Sequence, residues 1–198
     1  MGGLSSAISI KDNDPNIEVV IHEKYKTIGY NHEGRRCGEA HSVEHEWEKW
    51  KPTGKSIFNA ILHADVTIGK HHYIADRPPG VGFILNRQEF ICELARDAEK
   101  RGVQIQTNDK IQSIADLDGD VLVDASGCPS MVKRELNLDL GFIGRTYQET
   151  LENANCFMCD TIRIIFSRFG GYFWVFPRRP DKNEVNVGVG MFGDFGYD

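Results

Sequence analysis

The chain opens "MGGLSSAISI", and Gly2 and Gly3 stand where a glycine turn would lead into a helix of small and apolar residues. Glycines at such a turn let the backbone approach a pyrophosphate at the helix N-terminus, where unsatisfied N–H groups favour an anion. Farther on, the stretch "VVIHEK" ends an apolar run at Glu23. An acidic residue about twenty positions after the glycines, at the end of a second strand, is placed to accept hydrogen bonds from a ribose hydroxyl. The same residues also fit an N-terminal tail followed by an unrelated strand, since a full fingerprint would have a strand and further glycines before Gly2.

Other stretches offer different chemistry. "HSVEH" (41–45) fits H-x-x-E-H. On a helix this pattern puts His41 and His45 on one face with Glu44 nearby, and two imidazoles so spaced can bind zinc. A zinc site still needs a third ligand, so a zinc hydrolase on His41, Glu44 and His45 stands only as an alternative from another class. "PTGKS" (52–56) lacks the earlier glycine of a Walker loop and reads as a turn. "CFMC" (156–159) has redox-motif spacing with no helix behind it, so both cysteines read as strand filling, with zinc or redox use as the other reading. "KHHY" (70–73) reads as an exposed turn, and no metal ligands are assigned.

The elements that must position these residues follow from periodicity and punctuation. Leu4 to Lys11 has the pattern of a short helix, and Ile17, Val19, Val20 and Ile21 that of a buried strand ending at Glu23. Ser42 to Trp50 is expected to be a helix capped by Ser42. Residues 51–76 alternate β-prone runs with turns, as a small meander does. Asn86 is positioned to cap a helix whose Phe90, Ile91, Leu94, Ala95 and Ala98 recur at helical spacing and which Gly102 ends. Strands are expected at 104–106, 110–117 and 121–124, and β structure throughout after residue 140. The fold class is α/β, α+β overall, with a Rossmann-like part and an antiparallel sheet part.

Composition sets the outer bounds. The 198 residues are 40% hydrophobic and 26% charged, as in ordinary globular chains. A net charge of -6 argues against a nucleic-acid partner. Five cysteines at irregular spacing do not make a disulfide framework, and the expected location is a reducing cytoplasm.

Five stretches in order resemble the geranylgeranyl reductase-like flavoproteins of the flavin-monooxygenase superfamily. "MGGLSSAI…EVVIHEK" resembles the flavoprotein opening, with Gly3 as its third fingerprint glycine. "RRCGEA" (35–40) resembles the family's arginine–cysteine–glycine loop, and "LNRQEFICELARDAEKRGVQI" (85–105) its long helix. "DVLVDASGCPSMVKREL" (120–136) resembles a segment shared across the superfamily, and "GGYFWVFPR" (170–178) the aromatic strand of the reductase branch. The match runs along nearly the whole chain but only about the first half of a family member. The chain is thus expected to start inside the phosphate loop and to stop before a later glycine–aspartate motif.

The resemblance implies an FAD-dependent oxidoreductase reducing isoprenoid double bonds of lipids or lipid precursors, with NAD(P)H or ferredoxin as electron donor. It implies hydride transfer from the flavin to the alkene and protonation of the neighbouring carbon. By position, FAD binding falls to Gly2, Gly3, Glu23, Arg36, Cys37, Gly38, Arg87, Asp124 and Gly127. Arg36 and Arg87 offer guanidinium forks for pyrophosphate oxygens, although surface arginine is the other reading of both. Cys37 would run beside the flavin ring and touch substrate or donate a proton; otherwise it is a buried structural cysteine. This chain reads "DASG" where many relatives have "ADG", a departure from the superfamily's pattern at Asp124. Tyr172, Trp174 and Phe176 alternate on one strand face and would line an isoprenoid tunnel; without the resemblance they read as core.

The expected domains are a partial FAD-binding domain lacking its first strand (1–50), the meander (51–82), a continuation of the FAD-binding domain (83–140) and the start of an inserted antiparallel substrate sheet (141–198). Lipid substrates imply peripheral membrane association. A flavin-dependent monooxygenase or halogenase on the same scaffold is the alternative, and an inactive fragment is another. Omission of a central strand would leave FAD binding weak or absent.

Overall fold

The structure is a computed structural model that describes residues 1–30, 37–141, 144–155, 157–168 and 170–192. Arg36 and Cys156 lie outside the described residues. In chain order the elements are α1 (Gly2–Asn13), β1 (Val20–Glu23), β2 (Ala40–Ser42), β3 (Ile57–Ile61), β4 (His63–Ile68), β5 (His71–Asp76), β6 (Gly82–Leu85), α2 (Arg87–Lys100), β7 (Gln104–Thr107), α3 (Met131–Glu135), β8 (Gly144–Leu151), β9 (Thr161–Ser167), β10 (Gly171–Arg179) and β11 (Glu184–Phe192). They form two compact units: residues 1–33 with 91–141, and 34–90 with 142–198. The mixed α/β class is the one expected. No helix among the described residues is long and apolar enough to cross a membrane.

In the first unit, α1 buries Leu4, Ala7 and Ile8, a helical stripe, and packs on β1. β1 runs parallel to β7, with Val20 opposite Gln104 and Glu23 opposite Thr107. The expected buried strand is shorter and wetter than its apolar run implies. Ile17 is 47% exposed and Val20 37%, because β7 is the only ladder partner of β1 among the described residues.

The helix α2 matches its expected stripe, burying Phe90, Ile91, Leu94, Ala95 and Ala98. The Phe90 N–H donates to the Asn86 carbonyl at its start. At its end Gly102 takes φ +84°, the Val103 N–H reaches the Ala98 carbonyl and the Gly102 N–H that of Glu99. This is a Schellman closure, which needs a left-handed residue that glycine supplies without a Cβ clash.

Two expected strands are absent. Within 110–117 a short 3-10 turn, Ile114–Asp116, forms instead, and Ser113 and Asp116 cap it reciprocally. Glu135 adds to it, accepting from Ser113 Oγ at 2.8 Å and from the Ile114 N–H at 2.9 Å. Side chains that satisfy the local backbone compete with a sheet ladder, and here they win. Residues 121–124 are exposed and join no ladder among the described residues.

The second unit holds a six-stranded sheet, β5-β4-β9-β10-β11-β8, and a three-stranded sheet, β2-β6-β3. β4 and β9 run parallel; every other neighbouring pair in the two sheets is antiparallel. The expected β structure after residue 140 is present. The strands of the expected meander divide between the two sheets, β3 in one and the β4–β5 hairpin in the other. The expected helix over 42–50 is also replaced. Ser42 ends strand β2 opposite Gly82, and only a 3-10 turn, His45–Trp50, follows. Of "KHHY", expected as a turn, His71–Tyr73 instead begin the exposed strand β5, because they pair with β4. Ile61, Ile84, Trp174 and Phe176 form the core of this unit, with Ile162, Ile164 and Tyr172 packed around it. Each large apolar side chain so buried contributes about 1.5–3 kcal/mol.

Candidate functional site

In the first unit, the glycine turn and the "DASG" segment meet. Gly2 and Gly3 are the first residues of α1, and a Cβ on Gly3 would stand 3.3 Å from that of Ala125. The absence of side chains at the helix start therefore lets residue 125 close on it, and the first-turn N–H groups are of the kind that favour an anion. Glu23 ends β1 half-buried, and its Oε1 accepts from the Tyr25 N–H at 2.9 Å.

Asp124 is committed to its own turn. It accepts from the Ser126 N–H at 2.9 Å and from the Ser130 hydroxyl, which itself caps α3. Partial burial pushes its pKa up, but the bonds from Ser126 and Ser130 outweigh that and hold it below the usual carboxylate value. Gly127 has φ +92° with open space where a Cβ would be.

The second unit carries a cluster of its own on β10. Tyr172, Trp174 and Phe176 share one face, with successive ring centroids 5.4 and 6.2 Å apart. Trp174 is 6% exposed and Phe176 9%. Across β11 they face Gly190, Gly188 and Asn186 in turn. A Cβ on Gly188 would fall 2.1 Å from Trp174 Cζ2, and one on Gly190 would fall 2.8 Å from Tyr172 Cε1. The small residues are what let the rings lie flat over the neighbouring strand.

The Cys37–Gly38 loop sits on this wall. A Cβ on Gly38 would stand 2.9 Å from Phe176 Cε2. Asn186 donates to the Gly38 carbonyl at 3.1 Å, and Gln148 to the Cys37 carbonyl at 3.0 Å. Cys37 is exposed, which sets aside the buried structural reading, and its Sγ accepts from the Glu39 N–H at 3.4 Å.

Glu39, at φ +65°, anchors the loop through its carboxylate. It accepts from Arg178 Nε at 2.6 Å and from Asn186 Nδ2 at 3.0 Å. Arg178 also pairs with Glu184 at 2.7 Å, as does Arg179 Nε. Arg179 first and Arg178 second, against the opposing effect of burial, hold the Glu184 carboxyl below its usual pKa. Arg87 opens α2 half-buried.

The structure thus brings Gly2 and Gly3 to the segment of Asp124, and Cys37 and Gly38 to Trp174 and Phe176. Sequence reasoning missed Gln148, Asn186, Glu39, Arg178 and Glu184. The available signal was the alternation in "VNVGVG", which is complementary to "YFWVF" once the strands are paired.

The zinc alternative is not supported. His41 lies on β2 rather than on a helix shared with residue 45; its ring packs 5.5 Å from that of Phe90, and burial lowers its pKa. Glu44 pairs with Arg77 at 2.9 Å, and no group of three potential metal ligands occurs among the described residues.

No protein-family model matches the chain. A digeranylgeranylglycerophospholipid reductase of Methanothrix thermoacetophila is 24% identical over 213 residues, covering 91% of this chain and 52% of that protein. The protein of the same name from Methanocella arvoryzae is 26% identical, covering 90% and 51%. The chain spans about half the length of these curated relatives. Among solved structures, a geranylgeranyl bacteriochlorophyll reductase-like protein from Thermoplasma acidophilum superposes with TM-score 0.73 at 20% identity, over 96% of this chain and 53% of its own. The halogenase PltM, solved with phloroglucinol and FAD, superposes with TM-score 0.65 at 16% identity, over 96% and 49%. In sequence the chain is similar to the digeranylgeranylglycerophospholipid reductases, and its fold is that of the geranylgeranyl reductase-like flavoproteins.

Proposed function

We propose that the protein is an FAD-dependent oxidoreductase that reduces double bonds in the isoprenoid chains of lipids or lipid precursors. The observation that carries this reading is the Cys37–Gly38 loop, which holds an exposed thiol beside Phe176, the buried end of an aromatic stripe whose other end, Tyr172, is half-buried.

The residues present fit the cofactor. The side-chain-free start of α1 suits a pyrophosphate, the Glu23 carboxylate a ribose, and Arg36 and Arg87 phosphate oxygens. Gly127 leaves the backbone open to close approach, Gly38 lets its loop pack on Phe176, and Asp124 acts by holding its turn. When bound, FAD supplies the reducing equivalents. The chain's own residues do the rest. Tyr172, the half-buried end of the stripe, is the ring open to an apolar chain, Trp174 and Phe176 back it and exclude water, and the Cys37 thiol is the candidate proton donor at the alkene carbon. NAD(P)H or ferredoxin would supply electrons, and lipid substrates call for peripheral membrane contact from the cytoplasm.

Monooxygenase or halogenase chemistry shares the fold, and the sequence relatives favour the reductase. The protein purified as it occurs in the cell should show the visible absorbance of oxidised flavin. Under anaerobic conditions it should saturate an isoprenoid lipid with stoichiometric donor oxidation. A cooperatively folded, colourless protein, or turnover that requires oxygen, overturns the proposal.

A further inference from the structure

Within the second unit, Gln148 touches both the aromatic stripe and the Cys37 loop. It lies on β8 directly across from Gly188, which in turn lies opposite Trp174 on β10. Side chains directly opposite in adjacent antiparallel strands stand on one face. Because residue 188 has no side chain, the Trp174 indole extends over it, and Trp174 Nε1 donates to Gln148 Oε1 at 3.2 Å. The other end of the same amide, Nε2, donates to the Cys37 carbonyl at 3.0 Å.

The chemistry of the partners dictates the residue. An indole N–H can only donate and a carbonyl can only accept, so the group between them must accept at one end and donate at the other. A glutamate of the same shape would meet the indole but turn a second acceptor on the Cys37 carbonyl. A methionine of the same length would meet neither. Asn186 makes a parallel bond to the next carbonyl, that of Gly38, but its remaining partners are Glu39 and Thr150 rather than the aromatic wall. Gln148 alone among the described residues hydrogen-bonds both Trp174 and the Cys37 backbone.

We propose that Gln148 is a positioning residue that sets the Cys37 thiol relative to Trp174, coupling what lies on the aromatic wall to the reactivity of that thiol. The use of the thiol in lipid reduction rests on the function proposed above; the coupling itself does not.

The test is the rate at which iodoacetamide alkylates Cys37, followed by peptide mass spectrometry and normalised to the exposed Cys128 and Cys159 in the same sample. Gln148→Met preserves the side chain's length and adds no charge beside the thiol, so a role in packing alone leaves the rate unchanged; Gln148→Leu, also uncharged, is the second variant. With the bridge lost, the normalised rate at Cys37 is expected to rise about three- to tenfold, the factor that one hydrogen bond commonly provides. Trp174→Phe, which keeps a ring but removes the donor, should move the rate in the same direction by less. An unchanged ratio in the Gln148 variants, or an equal rise at all three cysteines, overturns the proposal. If the Gln148 variants do not fold, Trp174→Phe decides by the same ratio. The readout is alkylation alone and no turnover is measured, so its failure leaves the reductase reading standing, and failure of the flavin assay leaves this result intact.

Discussion

Gly38 shows how little room the site leaves. Its Cα faces Phe176 so closely that a methyl would stand 2.9 Å from the ring, and Phe176 is too buried to swing away. Gly38→Ala should therefore lift the Cys37 loop and cost about 1–3 kcal/mol. Urea unfolding checks the cost, and a faster alkylation of Cys37 checks the displacement. Glu39 is the second such residue. Arg178 and Asn186 hold its carboxylate, and the backbone at φ +65° is a conformation an L-residue adopts only when its surroundings enforce it. Glu39→Gln should lose the ion pair with Arg178 and lower stability by about 1.5–3 kcal/mol, the worth of hydrogen bonds to a charged group.

At the scale of elements, two glycines serve different ends. Gly102 closes α2 from the left-handed region, so Gly102→Ala should cost about 1 kcal/mol through backbone strain, read as a lowered thermal midpoint with the fold retained. Gly188 instead makes room. Gly188→Ala would drive a Cβ to 2.1 Å from Trp174 Cζ2, so the indole must leave its place over β11 and lose its bond to Gln148. The expected result is red-shifted tryptophan emission and a loss of stability beyond that of Gly102→Ala. Unchanged emission would mean that β11 yields and the ring does not.

Elements also show where local pattern is a sufficient guide. α2 was legible because five apolar residues recur at helical spacing between Phe90 and Ala98 and glycine marks its end. The 121–124 run was not, because a short apolar stretch becomes a strand only where a partner offers a ladder. Ser42 looked like a helix cap and lies in a strand, because pairing with β6 satisfies its backbone in another way.

For the whole molecule, the carboxylates of Asp65, Asp124 and Glu184 bear jointly on acid stability. Burial pushes Asp65 up, but His72 and Arg163 outweigh it, and Asp124 and Glu184 are likewise held below their ordinary pKa values. The unfolded chain, with Asp near 3.9 and Glu near 4.3, then binds more protons than the folded one as pH falls. Stability from these groups is complete above about pH 5 and is lost as pH drops through the depressed folded values. The urea midpoint should fall steeply below about pH 4. Glu184→Gln should start from a lower midpoint and show a shallower acid limb, since it removes one of the titrating groups.

By itself, the sequence determined the mixed α/β class, the helices α1 and α2, the glycine start of α1 with an acid at the end of β1, and the one-sided aromatic stripe. All of these are local: spacing of 3.6 or 2, or a glycine where a turn requires it. Tertiary structure alone decided that Gly188 and Gly190 would lie under Trp174 and Tyr172, that Glu39 would reach Arg178 across 139 positions of chain, and that Gln148 would join Cys37 to Trp174. Those contacts depend on strand register and on which strands become neighbours. A shift of one residue in pairing would turn each of these side chains to the opposite face, and only the packed sheet selects among the registers.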